Sequence, residues 1–423
     1  MENITQISQE LIENSVQMLP IGTNKNLLEL LQNMMSGQFL ESRGALFPAL
    51  AASGQDQAGC QRISNTLRSG VFWIQEIIDA FVRQVKQSGK YESIEHAGYR
   101  ALVADLTFIK RSGLVDAKGK YYHGGAGKAV GGVGCGLICE VGQVKGSPDR
   151  RMVLVREIVT ETGLASAGQQ IMQSELLTQV AKRLEDNEIL IHDAGAKISQ
   201  LQSHCLPRYL VRVPKTSVFR RNELPAAKSG KGRPSEYGTR IRVTERKYKD
   251  KIFKAHKPDQ CQTFTKAGRA ITVKLWQAVV LPSQKVSQDN PLLNVFVFED
   301  PDFEKPLVIA TNVNPLGAET VFDFYLDRWP VEHPPLVAKQ LRGMQRQFVF
   351  NRVARERLLA LSLIAGNMLT WLARLSEAQP TGFWNKKPQQ TPGRLRRRLA
   401  QLNFSKLTPN NPRILKKSLA PTI

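Results

Sequence analysis

The spacing of apolar residues divides the chain into blocks of different period. Residues 1–90 read as helical: the apolar side chains of LLELLQNMM (Leu27–Met35) and VFWIQEIIDAFVRQV (Val71–Val85) recur at three- and four-residue steps, which gathers them on one face of a helix. Between these runs the small residues from Ala49 to Gly59 read as a loop. Past residue 100 the period shortens. ALVADLTFIK (Ala101–Lys110), RMVLVREIV (Arg151–Val159), EILIH (Glu188–His192) and RYLVRVP (Arg208–Pro214) are compact apolar runs of the kind found in a buried sheet, with a helix expected near Ser174–Leu184. A second strand-rich block holds Thr272–Leu281, Leu293–Asp300 and Pro306–Val313. Helical spacing returns at Tyr325 and again in a long run from Asn351. The pattern therefore predicts an α/β fold with an N-terminal helical region and a separate strand-rich block.

Two stretches could be mistaken for something else. Leu358–Ala373 is apolar but is interrupted by Ser362, Gly366, Asn367 and Thr370, and it is shorter than the ~20 residues a bilayer requires, so a buried helix is expected and no membrane partner. The glycine-rich run around Gly124–Gly136 invites a nucleotide-loop reading. That reading fails because Tyr122 stands where a Walker loop needs its first glycine and Ala129 where it needs Ser or Thr. A hairpin joining two strands is expected instead. Cys135 and Cys139 lack a second pair, which argues against zinc.

Charge changes the picture more than hydropathy does. The 423 residues carry 59 Lys+Arg against 37 Asp+Glu, a net +22. Residues 220–257 hold 13 basic and 4 acidic residues and residues 386–417 hold 10 basic and none acidic, so two segments account for 19 of the 22. Such segregation fits a surface that binds a polyanion, because each neutralised phosphate releases counterions. Solvated arms are the plain alternative. In the first segment the stretch from Arg240 on, with Arg242, Arg246 and Lys247, mixes basic with other residues in a broadly alternating pattern, as an edge strand or ribbon along a phosphate backbone would require. Five cysteines, an odd number, argue for a reducing compartment, and the polar, acidic start of the chain has no secretory character.

The candidate chemistry lies in three places. Asp105 is a lone carboxylate inside an apolar strand, costly there unless paired or metal-bound, although a strand-end turn cap is an equal alternative. Asp193 ends another apolar strand just before Gly195, where α/β folds place functional groups. Tyr325, Arg328, Glu332 and Lys339 stand three, four and seven residues apart, steps that share one face of a helix. A solvated helix with ordinary charge pairs has the same spacing. Prolines at 330, 334 and 335 predict a break near residues 330–335, which weakens the shared face for Lys339 and brings in Arg342 or Arg346 as a substitute.

The spacing Y-x2-R-x3-E-x6-K over Tyr325–Lys339 resembles the C-terminal signature of DDE transposases in the group named for insertion sequence four. Asp105 with Thr107 resembles that family's first metal motif, D-x-T, and Asp193-Ala194-Gly195 its second, D-x-G. The aromatic usual after the second motif is replaced by Ala196. The resemblance implies a ribonuclease-H-like catalytic domain, a mixed sheet flanked by helices, in two parts (91–215 and 319–378), a basic β-rich insertion (216–318) and an N-terminal helical domain (1–90) that reads terminal inverted repeats; composition adds a basic tail (379–423), expected to be flexible until it meets DNA. It implies Asp105, Asp193 and Glu332 as catalytic ligands of two Mg²⁺ ions, with Mn²⁺ an alternative. Tyr325, Arg328, Lys339 and Arg342 would contact DNA ends. Trp276 in the insertion would stack on an extruded base, against the plainer reading of a core Trp. Partners would be the double-stranded DNA of transposon ends and target, bound by a homodimer in a prokaryotic cytoplasm, at the nucleoid. The alternatives are a catalytically inactive DNA-binding relic and a ribonuclease-H-like nuclease acting on other substrates.

Overall fold

The computed structural model describes residues 4–110, 119–147, 151–161, 164, 168–226, 235–341, 349–380 and 387–415. Six helices come first: α1 (Ile4–Val16), α2 (Thr23–Ser36), α3 (Gln38–Glu41), α4 (Leu46–Ala52), α5 (Gln57–Ser69) and α6 (Ile74–Gln87). Then follow β1 (Tyr91–Ser93), β2 (Glu95–His96), β3 (Tyr99–Lys110), β4 (Lys120–His123), β5 (Lys128–Val144), β6 (Arg151–Thr160), α7 (Gln169–Arg183), β7 (Glu188–His192), α8 (Ile198–Ser203) and β8 (Tyr209–Arg212). The strand-rich block is β9 (Val218–Arg221), β10 (Arg240–Arg242), β11 (Arg246–Tyr248), β12 (Lys251–Phe253), β13 (Gln260–Lys266), β14 (Arg269–Val280), β15 (Leu293–Glu299) and β16 (Leu307–Thr311). The chain closes with α9 (Ala318–Leu326), α10 (His333–Leu341), α11 (Arg352–Leu375), α12 (Pro392–Gln401) and α13 (Pro412–Leu415). The expected mixed α/β class is what is observed. The chain forms two compact units, residues 1–94, 104–176 and 330–423 in the first, residues 95–103 and 177–329 in the second.

The first unit is built on α11, which packs on α2, α5, α6, α10, α12 and β6. Its apolar side chains are buried nearly all round, as befits a helix covered on every face. Among the described residues it is the one helix long and apolar enough to cross a membrane, and 89% of its most apolar window is buried within the protein. Asn367 in its middle has a structural reason: its Oδ1 accepts from Val155 N at 3.0 Å and its Nδ2 donates to Val153 O at 2.6 Å, so the amide extends the β6 ladder by side chain. β5 pairs antiparallel with β1, β4 and β6 and neighbours β3. The turn Gly124–Ala126 joins β4 to β5, which is the expected hairpin. Its glycines are steric: a Cβ at Gly134 or Gly142 would collide with the Tyr121 or Tyr91 ring.

Two expectations are corrected here. The stretch Ala49–Gly59 is largely helical, covered by the end of α4 and the start of α5, because Asp56 caps α5 by accepting from Gly59 N at 2.6 Å. The C-terminal segment is docked on the N-terminal helices over its described part. α12 packs on α2 and α11, Leu395, Leu399, Phe404 and Ile414 are buried, and the buried Glu13 carboxylate accepts from Asn410 N and Asn411 N at 2.9 and 3.0 Å. A few well-placed apolar anchors outweigh the charge that the composition advertises. Residues 1–94 and the C-terminal segment thus belong to one compact unit. Residues 416–423 lie outside the described residues.

In the second unit the opening of β3 pairs parallel with β7, and β7 parallel with β8. Antiparallel partners continue from β8 through β16, β15 and β14 to β9 and β10, with β13 also on β14. β11 and β12 form a separate two-stranded ribbon. Phe264, Phe298 and Phe322 make an aromatic cluster under α9. Trp276 is fully buried and donates from Nε1 to Lys257 O at 3.1 Å, so it is a core residue with no face for an extruded base.

Candidate active site

Asp105 sits on β3, half-buried, two residues before the buried Thr107. Within the first unit its charge is felt at two groups: it raises the Cys139 thiol, already pushed up by burial, and it supports the charge on Lys339. Lys339, on α10, is half-buried, and desolvation holds its ammonium below the usual lysine range while Cys135 and Asp105 act in the opposite sense. The charge of this lysine is thus coupled to that of the first motif's carboxylate.

Glu332 closes a 3-10 turn, Trp329–Glu332, that separates α9 from α10. The expected break is there. Pro334 and Pro335 fall in the first turn of α10, where a missing N–H costs nothing. Glu332 is half-buried, and next to it His333 is held below the usual histidine range by burial, with Arg374 adding to the effect and Glu332 opposing it. Arg342 and Arg346 lie outside the described residues.

Asp193 follows β7 in the second unit, as its sequence position predicts. Its Oδ1 accepts from Ala194 N at 2.7 Å and stands 3.6 Å from Nη1 of Arg212 on β8, while Oδ2 accepts no hydrogen bond among the described residues. His192 is buried, and burial depresses its imidazole; Asp193 opposes that effect and Arg328 adds to it. Arg328 is thus within electrostatic reach of the end of β7. Its guanidinium lies 5.9 Å from the ring centres of both Tyr325 and Trp329. Tyr325, Arg328, Trp329, Arg212 and Lys305 share a cavity of about 330 Å³ with an aromatic wall. Arg212 and Lys305 were not foreseen. The signal for Arg212 was its place as the one exposed residue of an otherwise buried strand.

α9 holds the cavity residues in place. Lys266 Nζ lies 2.8 Å from Asp323 and 3.5 Å from Glu319, and His96 Nε2 lies 2.7 Å from the buried Asp327 carboxylate, directly before Arg328. The four-residue signature is divided between the units: Tyr325 and Arg328 belong to the second, Glu332 and Lys339 to the first. Asp105 belongs to the first and Asp193 to the second. Among the described residues no three His, Cys, Asp or Glu side chains are grouped to hold a metal ion.

Arg240 and Arg242 on β10, and Arg246 and Lys247 on β11, are exposed or half-exposed. β10 is an edge strand of its sheet path and β11 belongs to a ribbon, which are the forms expected of them. No protein-family model and no curated protein sequence matches this chain.

Proposed function

We propose that the protein is a DDE transposase with a ribonuclease-H-like catalytic domain, cleaving and joining DNA strands at transposon ends with divalent metal. The observation that carries the proposal is a register. Val103 on β3 pairs with Ile191 on the parallel neighbour β7; Asp105 lies two residues further along β3, and Asp193 comes directly after the end of β7. The run of neighbours β6, β5, β3, β7, β8, with β3, β7 and β8 parallel and β5 against β6 antiparallel, supports a ribonuclease-H-like sheet.

The donor chemistry suits a hard cation. Mg²⁺ takes oxygen ligands, and one or two carboxylates suffice when substrate phosphates complete the shell. Oδ2 of Asp193, which accepts no hydrogen bond among the described residues, would be such a ligand, with Asp105 and Glu332 as its partners in the proposal. When bound, two such ions would activate water or a 3′-hydroxyl and stabilise the leaving oxygen. The chain's own contribution is grip and orientation: Arg328, near the rings of Tyr325 and Trp329, and Tyr325 would hold phosphate oxygens, while Arg212 balances the charge of Asp193. The basic insertion would hold the DNA farther from the chemistry, in a homodimer on paired ends.

The test uses the full chain, Mg²⁺ and duplexes carrying the sequences that flank its gene. Nicking at those ends is expected, and Asp105→Ala, Asp193→Ala or Glu332→Ala should each abolish it. Full activity in any of the three overturns the assignment. A second reading, a DNA-binding relic without catalysis, is favoured by the lack of a three-acid group among the described residues. End binding with no metal-dependent nicking would support that one.

A further inference from the structure

We propose that β10, β11 and the chain entering β9 form a discrete oxyanion pocket that grips a single phosphate group with three arginines. Arg240, Arg242 and Arg246 line one cavity of about 250 Å³, with Ser217, Tyr248 and Phe253 among its other walls. Arg240 and Arg242 reach it from the same side of β10, because the alternating residue between them, Ile241, is buried in the core. No carboxylate lines the cavity, and among the described residues none of the three guanidiniums makes an ion pair or a side-chain hydrogen bond. Three like charges facing one cavity repel each other unless an anion fills it.

The arginines are nonetheless held. The Arg242 guanidinium lies 5.1 Å from the Phe253 ring centre and that of Arg246 5.1 Å from the Tyr248 ring centre. Stacking of this kind occupies the planar face of a guanidinium and leaves its N–H edge for an oxyanion. The backbone beneath is pinned as well: His256 Nδ1 accepts from Arg242 N at 3.0 Å, and His256 N donates to Arg242 O at 2.8 Å. A strand lying along a DNA backbone would spread its cations over successive phosphates. Here all three line one cavity.

The ligand chemistry is a phosphate oxyanion, supplied by a nucleic-acid backbone or by a free polyphosphate. The pocket rests on the DNA reading above only for the first source. Two arms on the full chain separate the cases. In the first, duplex affinity is measured against salt concentration for the wild type and for the triple variant Arg240→Gln, Arg242→Gln, Arg246→Gln. Each neutralised phosphate contributes a log–log slope of about 0.9, so one shared phosphate predicts a total loss of about 0.9, whereas three separate contacts would lose about 2.7. In the second arm, tripolyphosphate is titrated calorimetrically. One site is expected in the wild type, and at least a tenfold loss in Arg242→Gln and in Phe253→Leu, the latter keeping all three charges. A slope loss near the larger value, no slope change, or tripolyphosphate binding that survives in the triple variant overturns the pocket. Tripolyphosphate binding without DNA binding leaves the pocket standing and overturns the DNA reading.

Discussion

Nη1 of Arg212 stands 3.6 Å from Oδ1 of Asp193, across the gap between the parallel strands β8 and β7. A guanidinium in that place satisfies the carboxylate and also competes with any cation for it. Both side chains are partly exposed, so a unit-charge contact is worth only about 1 kcal/mol. Arg212→Gln should therefore tighten Mn²⁺ binding by about three- to tenfold, read from the electron paramagnetic resonance of free Mn²⁺. Unchanged affinity would remove Asp193 from the ligand set.

The pair His96–Asp327 anchors the end of α9 just before Arg328. Asp327 is fully buried, and removing His96 takes away the contact at its Oδ2. His96→Ala is expected to destabilise the protein by about 1–3 kcal/mol and to weaken DNA binding together with it. Denaturant unfolding and anisotropy on the same variant check this. A stable variant with normal binding would show that α9 does not depend on the clamp.

Asn367 tests the first unit in the same way. Asn367→Leu keeps the volume but leaves Val155 N and Val153 O without their partners. Two buried backbone groups left unsatisfied should cost about 2–5 kcal/mol, seen as a melting temperature lower by several degrees. A neutral result would mean that water replaces the amide.

Glu356, on α11, makes stability depend on pH. Burial raises its carboxyl, and Arg352, 3.0 Å away, only partly opposes the shift. A raised acid favours the folded state below its ordinary value of 4.5, and that contribution is lost as pH rises through the folded value. Glu356→Gln removes the dependence. Thermal melts from pH 4 upward should show the variant gaining on the wild type as pH rises; a constant difference would contradict the account.

β3 and β7 were legible because their apolar runs are short and compact; Asp105 stood out as a lone carboxylate within its run, and Asp193 by its place at the end of one, just before Gly195. The break between α9 and α10 was legible from three prolines. The docking of α12 was not. Its segment is dominated by arginines, and only the folded neighbourhood of Leu395, Leu399 and Phe404 reveals that they find a core. Trp276 was legible: the plainer reading of a core residue holds, and its buried indole N–H bonds the backbone of Lys257, whereas the base-stacking role implied by the resemblance does not. The Asp193–Arg212 contact depends on strand neighbours that sequence order does not reveal.

Iron-directed backbone cleavage tests most directly whether Asp105, Asp193 and Glu332 share metal ions. Fe²⁺ replaces Mg²⁺ on the DNA-bound protein, and ascorbate with peroxide generates hydroxyl radicals that cut only the nearby chain. The account predicts cuts beside all three carboxylates, suppressed by excess Mg²⁺ and lost together in Asp193→Ala. Cuts confined to one of the three positions, or unchanged in that variant, would contradict it.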